Sequence, residues 1–345
     1  MKIKISLVLI VLAIVLIAGL IIWSDYPRIS GNIIKNHLQP KKINSEKPIK
    51  ISLNQWPGYA FVFIAEKKGF FEKNKVKVEL VFDKEYAKSE ENYKNGEVDG
   101  VLEVFADTIF HDSEGLKSKA VYVTDYSDSG DVIIGKSEYN SLADLKGKKI
   151  GIDGINSFSH MFVLTALEKA GVKESEIQIE NVPAQDVLTA LEEGRIVAGH
   201  TWEPTKSAAL AKGYKQLGKA GDIPGLITDV LVFNDKIIKE RPEDIQAIIK
   251  SMNEAKEFLD ENPEEAIKIM AEKEEMSEEE MESGIKGAHQ LNLDENIVAM
   301  KESEETTSLY SSGRIIVDFY IKRGQLSIIP DFNEIIEPRF VNNVK

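Results

Sequence analysis

The chain has 345 residues, 43% of them hydrophobic, which is enough apolar side chain for two ordinary domains and excludes disorder as the default. A formal net charge of -14, with no cluster of Lys and Arg among aromatics, excludes a nucleic-acid surface. Cysteine is absent, which excludes disulfides, thiolate zinc sites, cysteine nucleophiles and a lipid-modified cysteine, so stability must come from packing.

At the amino terminus Lys2 and Lys4 precede an apolar run from Ile5 to Trp23, long enough to cross a bilayer as a helix. Positive charge on the short flank keeps that flank cytoplasmic. Residues 1–23 therefore read as a signal anchor or signal peptide, and the lack of a small-x-small cleavage pattern favours a retained single-pass anchor in the cell membrane with the globular part extracytoplasmic. Residues 24–48 are polar, are interrupted by Pro27, Gly31, Pro40 and Pro48, and read as a linker.

The globular part begins with an alternating strand, Ile49 to Leu53, followed by a helix from Tyr59 to Phe71 and a second strand from Val76 to Phe82. A helix through Ser89 to Lys94 stops at Gly96 and feeds a strand from Val98 to Leu102, with another strand at Ala120 to Val123. These elements predict a mostly parallel sheet covered by helices. Asp131 to Ile134 leads out of that layer into a second one. It comprises a helical turn at Ser141 to Gly147, strand Lys149 to Ile152, helix Ser157 to Ala170 capped by Gly171, strand Ile177 to Val182, helix Ala184 to Leu191 and strand Ile196 to His200. A long apolar strand from Leu226 to Phe233 crosses back. Everything from Lys236 onward reads as helical, with Pro242 and Pro263 in first turns and a capping box at Ser277 and Glu280. The run Glu272-Lys273-Glu274-Glu275 reads as a solvated helix face. The resulting division is an α/β protein of two lobes, 49–130 plus 226–345 and 131–225, joined by two crossings near Asp131 and Asp229 that would act as a hinge.

Two stretches, Asn95 to Glu103 and Glu193 to Glu203, end a helix on Gly and run straight into an apolar strand. Ligands of open α/β sheets sit beyond the carboxyl ends of strands, so Glu103 and Thr201, Trp202 and Glu203 are candidates for opposite walls of a shared cleft. Trp56 and Tyr59, in a strand-to-helix loop, offer aromatic faces for a planar or cationic ligand. Asn156, Ser157 and Ser159 place polar groups at a helix start, where one of them must cap and the others are free for a ligand. Asp125, Asp131 and Asp229 also fall near strand ends. The six arginines lie elsewhere, so this lining prefers amino, amidine or N–H-rich groups, with an anion such as a sulfonate as the alternative. The five histidines show no metal-binding spacing and no glycine-rich phosphate loop is present, so neither a metal nor another cofactor is expected, and no catalytic constellation emerges.

At Trp56-Pro57-Gly58-Tyr59 with Gly69-Phe70-Phe71, Asn95 to Gly100, Ser141 to Gly151, Ala166 to Gly171 and Thr201-Trp202-Glu203-Pro204, the chain resembles the extracytoplasmic solute-binding proteins of ABC importers in the nitrate/sulfonate/taurine and thiamine-pyrimidine-precursor group. The similarity covers Ile49 to Gln325. It implies a periplasmic-binding-protein (type II, Venus-flytrap) fold behind the N-terminal transmembrane helix, a monomer that is not an enzyme, and an ABC permease with its ATPase as partners. It also implies that Trp56, Tyr59, Ser157, Ser159, Trp202 and Glu203 line the cleft. Ligand identity does not follow from it. Two alternatives stand beside this reading. One is a sensory ectodomain, which would need a partner chain for output; the other is a pyrimidine-precursor enzyme on the same fold, disfavoured because such enzymes use a cysteine-rich motif.

Overall fold

A computed structural model describes residues 47–326 and 328–344. The apolar run at 5–23 and nearly all of the linker lie outside the described residues. Among the described residues no helix is long and apolar enough to cross a membrane.

The strands are β1 (Ile49–Leu53), β2 (Val78–Phe82), β3 (Gly100–Val104), β4 (Ser118–Ser127), β5 (Val132–Gly135), β6 (Lys149–Ile152), β7 (Gln178–Asn181), β8 (Ala198–Thr201), β9 (Lys215–Lys219), β10 (Thr228–Asn234) and β11 (Ala288–Gln290). They form a six-stranded sheet in the order β11-β4-β10-β3-β1-β2 and a five-stranded sheet in the order β7-β6-β8-β5-β9. Strand β1 lies inside the sheet and keeps the expected alternation Ile-Lys-Ile-Ser-Leu, with Ile49, Ile51, Ser52 and Leu53 buried and Lys50 half-buried. It pairs in parallel with β2 and β3.

The expectation of a mostly parallel first sheet needs correction. Strand β10 inserts between β3 and β4 and is antiparallel to both, and β11 is antiparallel to β4. The reason is connectivity. A strand that returns directly from the other lobe enters at the edge where β1 and β3 finish, so it must run against them, and antiparallel pairing needs no helical crossover. The chain passes between the sheets through residues 128–131 and 220–227.

Local signals set most helix limits. Gly96, Gly171 and Gly194 take positive φ (71°, 79° and 71°) where the Tyr86–Lys94, Phe158–Lys169 and Val187–Glu192 helices stop. The single helix expected from Tyr59 to Phe71 is instead a 3-10 turn, Pro57–Tyr59, followed by helices Val62–Lys67 and Phe70–Lys73, because Gly69 adopts φ 71° between them. Ser277 and Glu280 form the capping box of Glu278–Gly287.

The acidic run is not solvated throughout. Glu274 is fully buried at the end of the Pro263–Glu274 helix, whose last turn abuts the loop after β1; the Glu274 carbonyl accepts a hydrogen bond from Gln55 Nε2 at 2.6 Å. Burial pushes its carboxyl well above the ordinary range. Glu272, Lys273 and Glu275 remain exposed.

Candidate functional site

The carboxyl ends of β1 and β3 in one lobe face the carboxyl end of β8 in the other. Leu53 ends β1 and Asn54, Gln55 and Trp56 follow; Thr201 ends β8 and Trp202 follows. The Trp202 Nε1–H donates to the Gln55 carbonyl at 2.8 Å, which joins the lobes directly. The Trp56 and Trp202 rings meet edge to face, with centroids 6.3 Å apart, and Tyr86 meets Phe158 in the same way at 4.9 Å. Between these rings lies a cavity of about 10 Å³, room for about one water molecule.

Five rings line the cavity: Trp56, Tyr59, Tyr86, Phe158 and Trp202. Asn54, Val104, Ile227, Asp131 and Asp229 complete it, and among the described residues no Lys or Arg lines it. Tyr59 donates its hydroxyl hydrogen to Asn54 Oδ1. Asp229 lies opposite Asp125 in the β10–β4 ladder, and both are buried. Like charges placed there cannot both ionise at low cost. Burial pushes Asp125 up to about 7, while the Trp56 indole, donating at 3.2 Å, moderates the rise. Asp229 is held well above the ordinary carboxylate range, first by burial and then by the charges of Asp125 and Asp131. Its Oδ2 is buried without a hydrogen-bond partner.

Asp131 is oriented from behind. His200 Nε2 lies 2.9 Å from Asp131 Oδ1, and His200 Nδ1 lies 2.8 Å from Ser159 Oγ, which accepts from the Asp153 backbone N–H at 2.9 Å. With the backbone donating to Oγ, the consistent tautomer has the Ser159 hydroxyl donating to Nδ1 and Nε2–H donating to Asp131. The series has the order of a nucleophile relay, but Ser159 is fully buried and outside the cavity lining, so it fixes a carboxylate rather than presenting a hydroxyl.

The structure thus brings Trp56, Tyr59, Asp131, Trp202 and Asp229 together at the cavity, with Asp125 directly behind Trp56. Other candidates from the sequence sit elsewhere. Ser157 caps the Phe158–Lys169 helix and donates to the Asp153 carbonyl at 2.5 Å, so Phe158 rather than the capping hydroxyl reaches the cavity. The Asn156 carbonyl accepts from Tyr320 Oη at 3.3 Å and its side chain from Gln325, tying the second lobe to the Leu309–Lys322 helix and the turn after it. Thr201 Oγ1 donates to the Ala184 carbonyl at 2.7 Å.

Neither acidic strand tip lines the cavity. Glu103 turns into its own lobe, where Thr108 Oγ1 donates to it at 2.5 Å, because the next residue, Val104, takes the position facing the cavity. The Glu203 carboxylate accepts from Ser207 N and Oγ (3.0 Å each) and from Ser283 Oγ of the other lobe (2.7 Å), and it pairs with Lys206 Nζ at 3.0 Å. It is a contact between lobes with its acceptor sites taken.

Asn54, Tyr86, Val104, Phe158 and Ile227 are lining residues that sequence reasoning did not single out. Asn54 was signalled as the first polar residue after β1, but Tyr86 lay hidden because its helix begins three residues before the expected start at Ser89.

Two α/β sheets closing their strand ends over a buried cavity, with the chain crossing twice between them, define a periplasmic-binding-protein-like fold. The alkanesulfonate-binding protein from Xanthomonas axonopodis pv. citri, solved bound to MOPS, has the same fold, with a TM-score of 0.71 and 17% identity over 84% of this chain and 98% of that one. The chain belongs to the NMT1/THI5-like family, whose model matches residues 56–266. It is 26% identical over 214 residues to a Brucella abortus protein described only as a binding protein, a match that takes in 61% of this chain and 65%, less than two thirds, of that relative. It is also 24% identical over 223 residues to the taurine-binding periplasmic protein of Escherichia coli, covering 62% of this chain and 68% of that protein.

Proposed function

We propose that this protein is the extracytoplasmic solute-binding component of an ABC importer and not an enzyme. Held at the membrane by its N-terminal apolar segment, it captures one small solute between the lobes and delivers it to a permease driven by an ATPase. Closure is stabilised by whatever the ligand bridges, and the closed shape is what a permease would recognise.

For the ligand we propose a flat or compact cation, or a neutral ring rich in N–H groups, rather than a sulfonate. The observation that carries this reading is the lining itself: five aromatic rings, Asp131 and Asp229, and no basic side chain. Ring faces attract cations, and the lining offers a sulfonate no guanidinium or ammonium to offset its charge. The alkanesulfonate-binding structure supports the fold and the taurine-binding relative supports the transport role, whereas ligand identity does not follow from a shared fold. Thermal-shift measurements over pyrimidines, amines, sulfonates and oxyanions test it. Stabilisation by an amine or aminopyrimidine is expected, and stabilisation by sulfonates alone would sink the cation preference.

A further inference from the structure

Away from the cavity, inside the first lobe, three groups converge from three elements: Glu90 from the Tyr86–Lys94 helix, Glu103 from β3 and His111 from the Phe105–Ser113 helix. One ligand atom from each lies within 4.8 Å of the other two. His111 Nε2 is 3.2 Å from Glu90 Oε2, and His111 Nδ1 is 3.6 Å from Glu103 Oε2. The side chains are 4%, 7% and 0% exposed for His111, Glu90 and Glu103.

Their hydrogen bonding is incomplete. Both Glu90 oxygens, Glu103 Oε2 and His111 Nδ1 are buried without a partner. Buried polar atoms are nearly always satisfied, so atoms gathered this closely call for a proton shared between the carboxyls or for a ligand. Among the described residues no Lys or Arg forms an ion pair with either carboxylate. We propose that Glu90, Glu103 and His111 form a binding site for one divalent transition-metal ion that fastens the two helices to β3.

The donor chemistry sets the class of ion. One imidazole nitrogen and two carboxylates match Zn²⁺, Co²⁺ or Mn²⁺, and two carboxylates neutralise a doubly charged ion. Ligands about 2.0–2.2 Å from a tetrahedral ion sit about 3.3–3.6 Å from one another, so the three ligand atoms, now within 4.8 Å of one another, would close on the ion with one His111 nitrogen turned to it. Thr108, donating to Glu103 Oε1 at 2.5 Å, is the outer hydrogen bond that holds this carboxylate in place. The role is structural. The Glu90 helix begins at Tyr86, which lines the cavity and donates its hydroxyl hydrogen to Asp107 at 2.6 Å, so the ion would stiffen one wall of the binding cleft. Histidine spacing in the sequence gave no hint of it, because the partners are carboxylates on separate elements.

The test uses the full chain, stripped with a chelator and dialysed against Zn²⁺, Co²⁺ or Mn²⁺ separately. Wild-type protein should retain about one equivalent of at least one of these ions and gain about 5 °C in Tm at a hundredfold excess over Kd. With Co²⁺ it should show ligand-field absorption. Glu90→Gln keeps the shape of the neutral carboxyl and should melt cooperatively with unchanged circular dichroism, yet lose at least tenfold in metal affinity; His111→Ala should do the same if it folds. Failure of wild type to retain any of the three ions, or retention undiminished in folded Glu90→Gln, would overturn the proposal.

Discussion

Replacing Asp229 by Asn should raise the stability of the protein and weaken its ligand binding at once. Asp125 is lifted from about 3.9 in an unfolded chain to about 7, and each unit corresponds to about 1.4 kcal/mol, so holding one carboxyl of the pair neutral costs about 4 kcal/mol once the pH exceeds 7. Asp229, also raised well above the ordinary range by burial and by the charge of Asp125, shares this cost. Asn matches the neutral carboxyl in shape and needs no proton. For a carboxyl raised on folding, the native state keeps a proton that the unfolded chain has released. Its stabilising contribution is complete below about pH 4 and is lost as the pH rises through about 7. Asp229→Asn should therefore melt with wild type at pH 4 and several degrees above it at pH 8, a gain of roughly 2–4 kcal/mol. Calorimetric melts at the two pH values measure this. A lower Tm for the variant at pH 8, or an equal shift at both pH values, would refute the reasoning. A cationic ligand that relies on this carboxylate should lose binding in the same variant by about 2–5 kcal/mol, the usual cost of truncating one member of a buried charge pair.

Trp202→Ala removes a side chain that is 5% exposed together with its hydrogen bond to Gln55, and should cost about 3–5 kcal/mol and enlarge the radius of gyration in small-angle scattering as the lobes separate. Gly58→Ala places a Cβ 2.3 Å from Trp56 Nε1 and 2.5 Å from the Asp125 carboxyl, so Trp56 must move; a loss of about 1–3 kcal/mol and a red shift in tryptophan emission are expected, and unchanged emission would contradict the packing. Wild-type Tm should itself fall as the pH rises from about 4 to about 7, where folded Asp125 keeps a proton that the unfolded chain has released, and the contribution of this group should level off above that; a Tm that rises across the window would contradict the burial of this carboxyl.

Features carried by neighbouring residues were legible in the sequence. Gly96, Gly171 and Gly194 announce helix ends because only glycine takes their positive φ without strain, and Trp56-Pro57-Gly58-Tyr59 announces a loop at a strand tip. Features that depend on partners far along the chain were not. Strand β10 was recognised as a strand, but its direction depends on which lobe it returns from, and β9 and β11 were missed because each is short and exists through its pairing. The acidic tips show the limit most clearly. Glu103 and Glu203 both stand at strand ends, yet in the first a one-residue alternation points the carboxyl into the lobe, and in the second Ser207, Ser283 and Lys206 occupy it. The acidic character of the cleft survives at Asp131 and Asp229.

The central claim is that this cleft selects a cation or an N–H-rich ring. Isothermal titration of the full chain at pH 6 with aminopyrimidines, quaternary and primary amines, and taurine, in two buffers of different ionisation enthalpy, tests it most directly. The account predicts binding by a member of the amine or aminopyrimidine set with protons released to the buffer, weakening in Asp229→Asn, and no heat from taurine. Tight binding of taurine with none of the amines would contradict it.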